Sequence, residues 1–329
     1  MTETQPQQRR FSRTTVFCVV TGLLLIAAGV FCFWWPYHLE QQAITAVNDW
    51  RGNVKTEVIR PGWVPNSIDD SQLPLFERVV SAELILLSVG DDELKQLSEL
   101  THIEYLDLQG TKITGAGLTH LRGMVSLKTL VLHNTDVSDA GLVHLSELKN
   151  LELLDLSNTK VSGSGLAQLS RLPKLKSLGL DETSIDDAAL QHLSGLTTLE
   201  DLSLSKTGIT DAGLKHIRGL TKLKTLVLHH TNITGAGLEH LRGMPSLETL
   251  WLSDTKVDDD GMQNLSGLTS LRNLWLRNTQ VSDGGLEHLR GLMNLVELTL
   301  SNSRVTAAGV EALQNELLGC DIQWTPPTP

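Results

Sequence analysis

From Leu106 to Leu300 the chain repeats one arrangement of apolar and polar positions every 24 residues. A Leu-x-Leu pair (Leu106/Leu108, Leu130/Leu132, Leu154/Leu156, onward to Leu298/Leu300) precedes each of Thr111, Thr135, Thr159, Thr183, Thr207, Thr231, Thr255 and Thr279, with Ser303 in the ninth place. An aliphatic residue comes next, such as Ile113, Val137, Val161 or Ile185, and then a Gly-Leu pair and two more apolar positions, as in Gly117-Leu118, Leu121 and Met124. The alternation at Leu106-Asp107-Leu108 predicts a short strand, and the three-residue spacing of Leu118, Leu121 and Met124 predicts a helical or 3-10 side. A fixed period of this length means stacked modules, because one such unit cannot bury its own leucines. The expected fold is an α/β solenoid whose parallel strands join into one sheet.

Between strand and helical side, Thr114, Ser138, Ser162, Asp186, Thr210, Thr234, Asp258, Ser282 and Thr306 share a column. All are favoured N-cap types, whose side-chain oxygen accepts a bond from an orphan amide of the next turn. The glycine column that includes Gly117, Gly141 and Gly213 is expected to permit tight packing in that turn, and Ala189 in the same column shows that positive φ is not required there. Asp139, Asp187, Asp211, Asp259 and Asp283 come directly after the caps and are expected to interact with helical amide ends rather than to act as acids or bases. His120, His144, His192, His216, His240 and His288 recur on the helical side, with Gln168 and Asn264 interrupting the column. Such gaps suit a structural polar row and would break a metal rail. No metal or cofactor site is expected, and Asp258-Asp259-Asp260 lacks the spaced oxygens of a calcium loop.

On these motifs the chain resembles the leucine-rich repeat family, in nine units over residues 103–318 behind a degenerate first unit at 79–102. The resemblance implies a curved ribbon with short parallel strands on the concave face and helical turns on the convex face. One departure is the hydroxyl at Thr111 and its equivalents, where the family commonly has asparagine or cysteine; here a hydroxyl must satisfy the turn's backbone groups. Units such as Thr207-Gly208-Ile209-Thr210-Asp211-Ala212-Gly213-Leu214, and the ending Leu318-Gly319-Cys320-Asp321-Ile322-Gln323-Trp324, resemble the membrane-anchored leucine-rich repeat proteins of planctomycete bacteria. The units are also similar to those of eukaryotic F-box adaptors, without an F-box ahead of them. Residues 319–329 are then a C-terminal cap and tail.

The membrane likeness has its own residues. Thr14 to Tyr37 is a 24-residue run without a formal charge, centred on Leu23-Leu24-Leu25-Ile26. Roughly 20 apolar residues span a bilayer as a helix. Trp34, Trp35 and Tyr37 close the run with rings that favour the interface, and Arg9, Arg10 and Arg13 precede it, which places the tail 1–13 in the cytoplasm and the body on the other side. A cleaved signal peptide is the alternative; its apolar region is usually about 7–15 residues, and no clear small-x-small site lies beyond this longer run. Residues 38–78 form a juxtamembrane capping region. Glu40 to Asp49 continues as a helix, Pro61, Pro65 and Pro74 rule out a long helix after it, and Trp50, Trp63 and Phe76 are expected to bury the membrane-proximal edge.

Net charge is -11 overall, with +2 before residue 37 and -13 after it. That balance disfavours nucleic acid, whose phosphates draw on lysine and arginine. Only Cys18, Cys32 and Cys320 are present, which excludes a disulfide scaffold.

Candidate chemistry lies beside the strand leucines. The outward column Asp107, Val131, Asp155, Gly179, Ser203, Val227, Trp251, Trp275, Thr299 varies while the leucines do not. Trp251 and Trp275 should sit on adjacent strands about 4.8 Å apart. Val227 would extend that apolar surface, with His229 and Arg277 at its rim, as a patch for a protein or an envelope polysaccharide. Cross-strand packing that merely stiffens the sheet is the alternative. The expected function is a membrane-anchored extracytoplasmic binding or scaffold protein acting through its concave face. A recognition subunit or receptor for a separate envelope enzyme or signalling partner is the second reading, and a cytoplasmic substrate adaptor is the third if the topology is reversed. Catalysis by the chain itself is not expected, as no nucleophile, base and orienting group fall in register. The leucine columns make a direct prediction: Leu204→Ala or Leu228→Ala should cost about 2–5 kcal/mol in denaturant unfolding, and an unchanged midpoint would remove those residues from the core.

Overall fold

A computed structural model describes residues 17, 18, 20–22, 24 and 28–326. Its strands are β1 (Asn53–Val58), β2 (Glu77–Glu83), β3 (Tyr105–Asp107), β4 (Thr129–Val131), β5 (Leu153–Asp155) and β6 (Ser177–Gly179), then β7 (Asp201–Ser203), β8 (Thr225–Val227), β9 (Thr249–Trp251), β10 (Asn273–Trp275), β11 (Glu297–Thr299) and β12 (Asp321–Gln323). They form a single twelve-stranded sheet in chain order. β1 pairs antiparallel with β2, and from β2 onward neighbours are parallel. Leu106 lies opposite Leu130, and Leu130 opposite Leu154, so the sequence period is the register of the sheet. Short α or 3-10 turns, such as Asp211–Leu214 and Ala236–Leu241, return the chain on the convex side. β2 reaches back to Glu77 to pair with β1, while its part Ser81–Glu83 meets Tyr105–Asp107 in the 24-residue register.

One unit shows how the ribbon is held. Leu202, Leu204, Ile209, Leu214, Ile217, Leu220 and Leu223 are all at most 1% exposed, and the apolar cluster they join is continuous from Ala43 to Cys320. The threonine column closes each strand's exit: Thr207 Oγ donates to the Leu204 carbonyl at 2.6 Å, and the same bond recurs from Thr111 to Leu108 through Ser303 to Leu300. These hydroxyls are buried, so each satisfies a carbonyl that water cannot reach.

The residue before each threonine is left-handed: Gly110, Asn134, Asn158, Glu182, Lys206, His230, Asp254, Asn278 and Asn302 all have φ between 52 and 67°. Glycine, asparagine and aspartate tolerate that region best. Glu182 and Lys206 occupy it while pairing with each other at 2.6 Å. The column that begins with Gly117 has no such φ; there the glycines make room. A Cβ at Gly213 would lie 2.5 Å from Asp187 Oδ1, and one at Gly141 would lie 2.5 Å from the Gly115 Cα.

The aspartates do more than stabilise their own turns. Asp91, Asp139, Asp187, Asp211, Asp259 and Asp283 each accept both the amide and the hydroxyl of the Ser or Thr 23 residues later, as Asp211 does from Thr234 at 2.8 and 2.5 Å. The amide contact was expected; the reach across 23 residues was not, and through it the carboxylate clamps one repeat to the next. Thr234 meanwhile accepts the Ala236 amide, so one hydroxyl serves two repeats. Ser138 and Ser162 make no such cap bond, against the expectation for their column. Where the next cap is itself an acid, Asp186 or Asp258, the clamp position is Gly163 or Gly235, and two carboxylates are never set face to face. Burial opposes the charge on Asp139, but bonds from Ser162 and Ser164 and from the Gly165 amide outweigh it and hold that carboxyl below the usual range.

A second inter-repeat row lies just ahead of the strands. Lys128, Lys176 and Lys224 pair with Glu104, Glu152 and Glu200 at 2.6–2.7 Å, so acid and base alternate from one repeat to the next. The pairs are exposed and each contributes little; their order sets which charge meets which.

Both ends are covered. The helix α1 (Trp35–Asp49) lays Ala43 and Val47 on the first leucines, and buried Glu40 accepts the Val79 amide at 2.7 Å. Burial pushes the Glu40 carboxyl up, against the pull of that amide and of Arg78. Trp50 packs on this core, but Trp63 does not cap it, being 68% exposed. Phe76 turns to Trp63 rather than to the leucines. At the far end the helix Ala307–Glu316 and β12 close the sheet, and Trp324 Nε1 donates to the Val305 carbonyl at 3.0 Å. Much of the uncharged run 14–37 lies outside the described residues. Among the described residues no helix is long and apolar enough to cross a membrane.

The clamp predicts that Asp211→Ala lowers stability by about 1–3 kcal/mol by stranding the Thr234 amide and hydroxyl. Asp260→Ala, in an exposed side chain outside the clamp row, should change it by less than about 0.5 kcal/mol. Equal midpoints for the two variants in urea would show that the clamp carries no stability.

A tryptophan pair in the concave sheet

The strand register brings the outward column together at β8–β10. Val227 lies opposite Trp251, and Trp251 opposite Trp275. The two indole rings are 4.4 Å apart between centroids and tilted by 36°, an offset contact rather than a flat stack. Such pairs contribute about 0.5–1.5 kcal/mol beyond the area they bury, so part of this contact is cross-strand packing. It does not consume the rings, since Trp251 remains 36% exposed. The His229 ring is 6.2 Å from Trp251, and Arg277 lies exposed beyond Trp275.

Trp251, Trp275, His229 and Arg277 line one open hollow of about 930 Å³, together with Asp254, Ser301 and Gln323. Val227 stands in register beside Trp251 but lines the next hollow, of about 230 Å³, with Asp155, Asp181 and Asp201. The concave face thus divides into a carboxylate-rich stretch and an aromatic stretch that carries an arginine. Several residues of the aromatic hollow lie outside the strand columns, His230, Asp254 and Asn302 among them. His230 and Asp254 belong to the left-handed column, which turns them back toward the hollow, 3.4 Å apart. The signal for them is present in the Gly/Asn/Asp bias of that column. Thr299 also lines the hollow, and its buried Oγ1 has no hydrogen-bond partner.

Burial holds the His229 imidazole below its ordinary range. His230 adds to that, and Asp181 and Asp254 pull the other way. The surroundings thus favour the neutral ring, in which one nitrogen donates and the other accepts. The hollow offers two indole faces, a guanidinium and several neutral donors and acceptors, which is chemistry for recognition. Among the described residues no group of three or more His, Cys, Asp or Glu is placed to hold a metal ion.

A family model described as a leucine-rich repeat region matches residues 135–327, and one described as a leucine rich repeat matches residues 99–121. No curated protein matches the sequence. Among solved structures, a leucine-rich repeat protein of Leptospira interrogans is 24% identical, with a TM-score of 0.58, covering 70% of this chain. The present chain spans only 56% of that protein. An internalin of Listeria monocytogenes is 21% identical, with a TM-score of 0.51, covering 74% of this chain and 86% of its own. A TDR receptor is 17% identical, with a TM-score of 0.53, covering 76% of this chain and 43% of its own. At these identities the likeness is one of fold.

The hollow predicts a titration. In an NMR pH series His229 should ionise below 6.5, the ordinary histidine value. Trp251→Ala, which opens the ring to water, should move the midpoint up toward that value. A midpoint that ignores the substitution would mean that Trp251 does not shield His229.

Proposed function

The chain belongs to the leucine-rich repeat family, and from that premise we propose that it is a membrane-anchored binding or scaffold protein, holding its concave face outside the cytoplasm to recognise a protein partner. The observation that carries the binding part is the Trp251–Trp275 pair, in contact yet still partly open to solvent beside Arg277. Tryptophan and arginine are enriched in binding hot spots, the indole because it buries a large rigid area and the guanidinium because its planar fork offers several donors. The remaining leucine columns are committed to stacking, which leaves the outward columns free to be shaped by a partner. Recognition here needs no covalent chemistry.

The anchor part draws on the uncharged run 14–37, the arginines before it and the rings that close it. The likeness of leader and repeats to the membrane-anchored proteins of planctomycete bacteria supports the same reading. An anchor confines the search for a partner to the membrane surface. A recognition subunit of an envelope enzyme, with the catalysis in a second protein, is a special case of the same mechanism.

Two measurements test the proposal. Protease treatment of intact and permeabilised cells should cut the repeats without permeabilisation of the inner membrane; cutting only after it would mean a cytoplasmic adaptor. Capture from native envelopes with the full chain should lose its partner when Trp251 and Trp275 are both changed to alanine, with affinity falling about 30-fold or more for a true hot spot. Equal capture by a folded double variant would move the binding surface elsewhere, and capture of polysaccharide alone would replace the protein partner.

A further inference from the structure

The least expected surface lies at the other end of the molecule. Phe33, Trp63 and Phe76 meet edge to face, with centroids 6.2 Å (Phe33–Trp63), 5.8 Å (Phe33–Phe76) and 5.9 Å (Trp63–Phe76) apart. With Trp34, Leu75 and Gly29 they line an open hollow of about 650 Å³ that has no charged residue in its wall. Trp63, Trp34 and Leu75 are 68%, 46% and 40% exposed. The surface is held in place. Arg60 donates to the carbonyls of Pro65 and Ile68 at 2.8 Å and reaches Asp70, and neighbouring Val64 is buried. Trp63 is therefore turned outward by a braced loop.

A contiguous apolar patch of this kind marks a contact surface, and its position indicates the occupant. Phe33 and Trp34 belong to the last turn of the uncharged run 14–37, so the patch continues that run sideways onto the cap. The chain passes from the turn Val30–Trp34 directly into α1, which is packed on the sheet through Ala43 and Val47. Patch, run and sheet are thereby tied together at one end of the ribbon. Indole rings favour the headgroup level of a bilayer, where one edge is apolar and the other wet.

We infer that Trp63, Leu75 and Phe76, with Phe33 and Trp34, form a collar that sinks into the interfacial layer of the lipid bilayer and gives the capping region a second contact with the membrane. The inference rests on the anchored reading above. One attachment would let the ribbon swivel about its anchor; two set the direction in which the concave face looks.

The full chain, reconstituted in phosphatidylcholine/phosphatidylglycerol nanodiscs and labelled with 5-fluorotryptophan, provides the test by ¹⁹F NMR. Trp63→Phe and Trp34→Phe assign two resonances, and Trp324 at the opposite end is the reference. A lipid carrying a spin label near its headgroup should broaden Trp63 and Trp34 severalfold more than Trp324, and an aqueous gadolinium chelate should do the reverse. Trp34 in lipid with Trp63 broadened by the aqueous agent overturns the collar and leaves the anchor standing. Trp63 shielded from both agents means that a second protein chain covers the patch, which also overturns it. Both rings broadened only from water defeats the anchored reading and the collar with it.

Discussion

The structure rests on one constraint: no 24-residue unit can enclose its own leucines, so each exists as a folded object only between two neighbours. Register is the quantity that must be protected, since a slip would carry Leu202 or Leu226 away from the leucines they meet. Polar groups protect it. The Thr207 hydroxyl closes the Leu204 carbonyl within a unit, and the Asp211 carboxylate gathers the Thr234 amide and hydroxyl across the junction to the next. The hydrophobic contribution is large but non-directional; the hydrogen bonds supply the direction.

The same constraint decides how much is legible in the sequence. The leucine columns, the strand register and the meeting of Trp251 with Trp275 are properties of the period, and the period is visible in the letters. The clamp is hidden because Asp211 and Thr234 are 23 residues apart, and their adjacency exists only after stacking; on the chain Asp211 looks like a local partner for its own turn. His230 and Asp254 are hidden for a related reason. The left-handed residue after each strand redirects its side chain, and that bend departs from the two-residue alternation that defines the outward columns. Trp63 misleads because an exposed edge calls for a large ring, whereas Ala43 and Val47 of α1 already cover it.

The division of the concave face has a geometric side. β2 adjoins α1 at one end, and β10 lies eight strands along, roughly 40 Å away at about 4.8 Å per strand. The carboxylates Asp155, Asp181 and Asp201 come between. In the proposed arrangement a partner on the tryptophans is held well clear of the bilayer surface. The acidic stretch would repel anionic ligands, and in that arrangement anionic lipid as well.

The alternation of Glu104, Lys128, Glu152, Lys176, Glu200 and Lys224 has a consequence for how such an array can grow or shrink. Its chemical unit is two repeats, 48 residues, although its geometric unit is one. Excising a single repeat from this stretch would set acid beside acid or base beside base at the new seam. Removing two together restores the original sequence of signs. In the lineage of such a molecule, recombination in even steps keeps opposite signs together along this row, whereas odd steps leave a like-charge seam whose small cost a single substitution would remove.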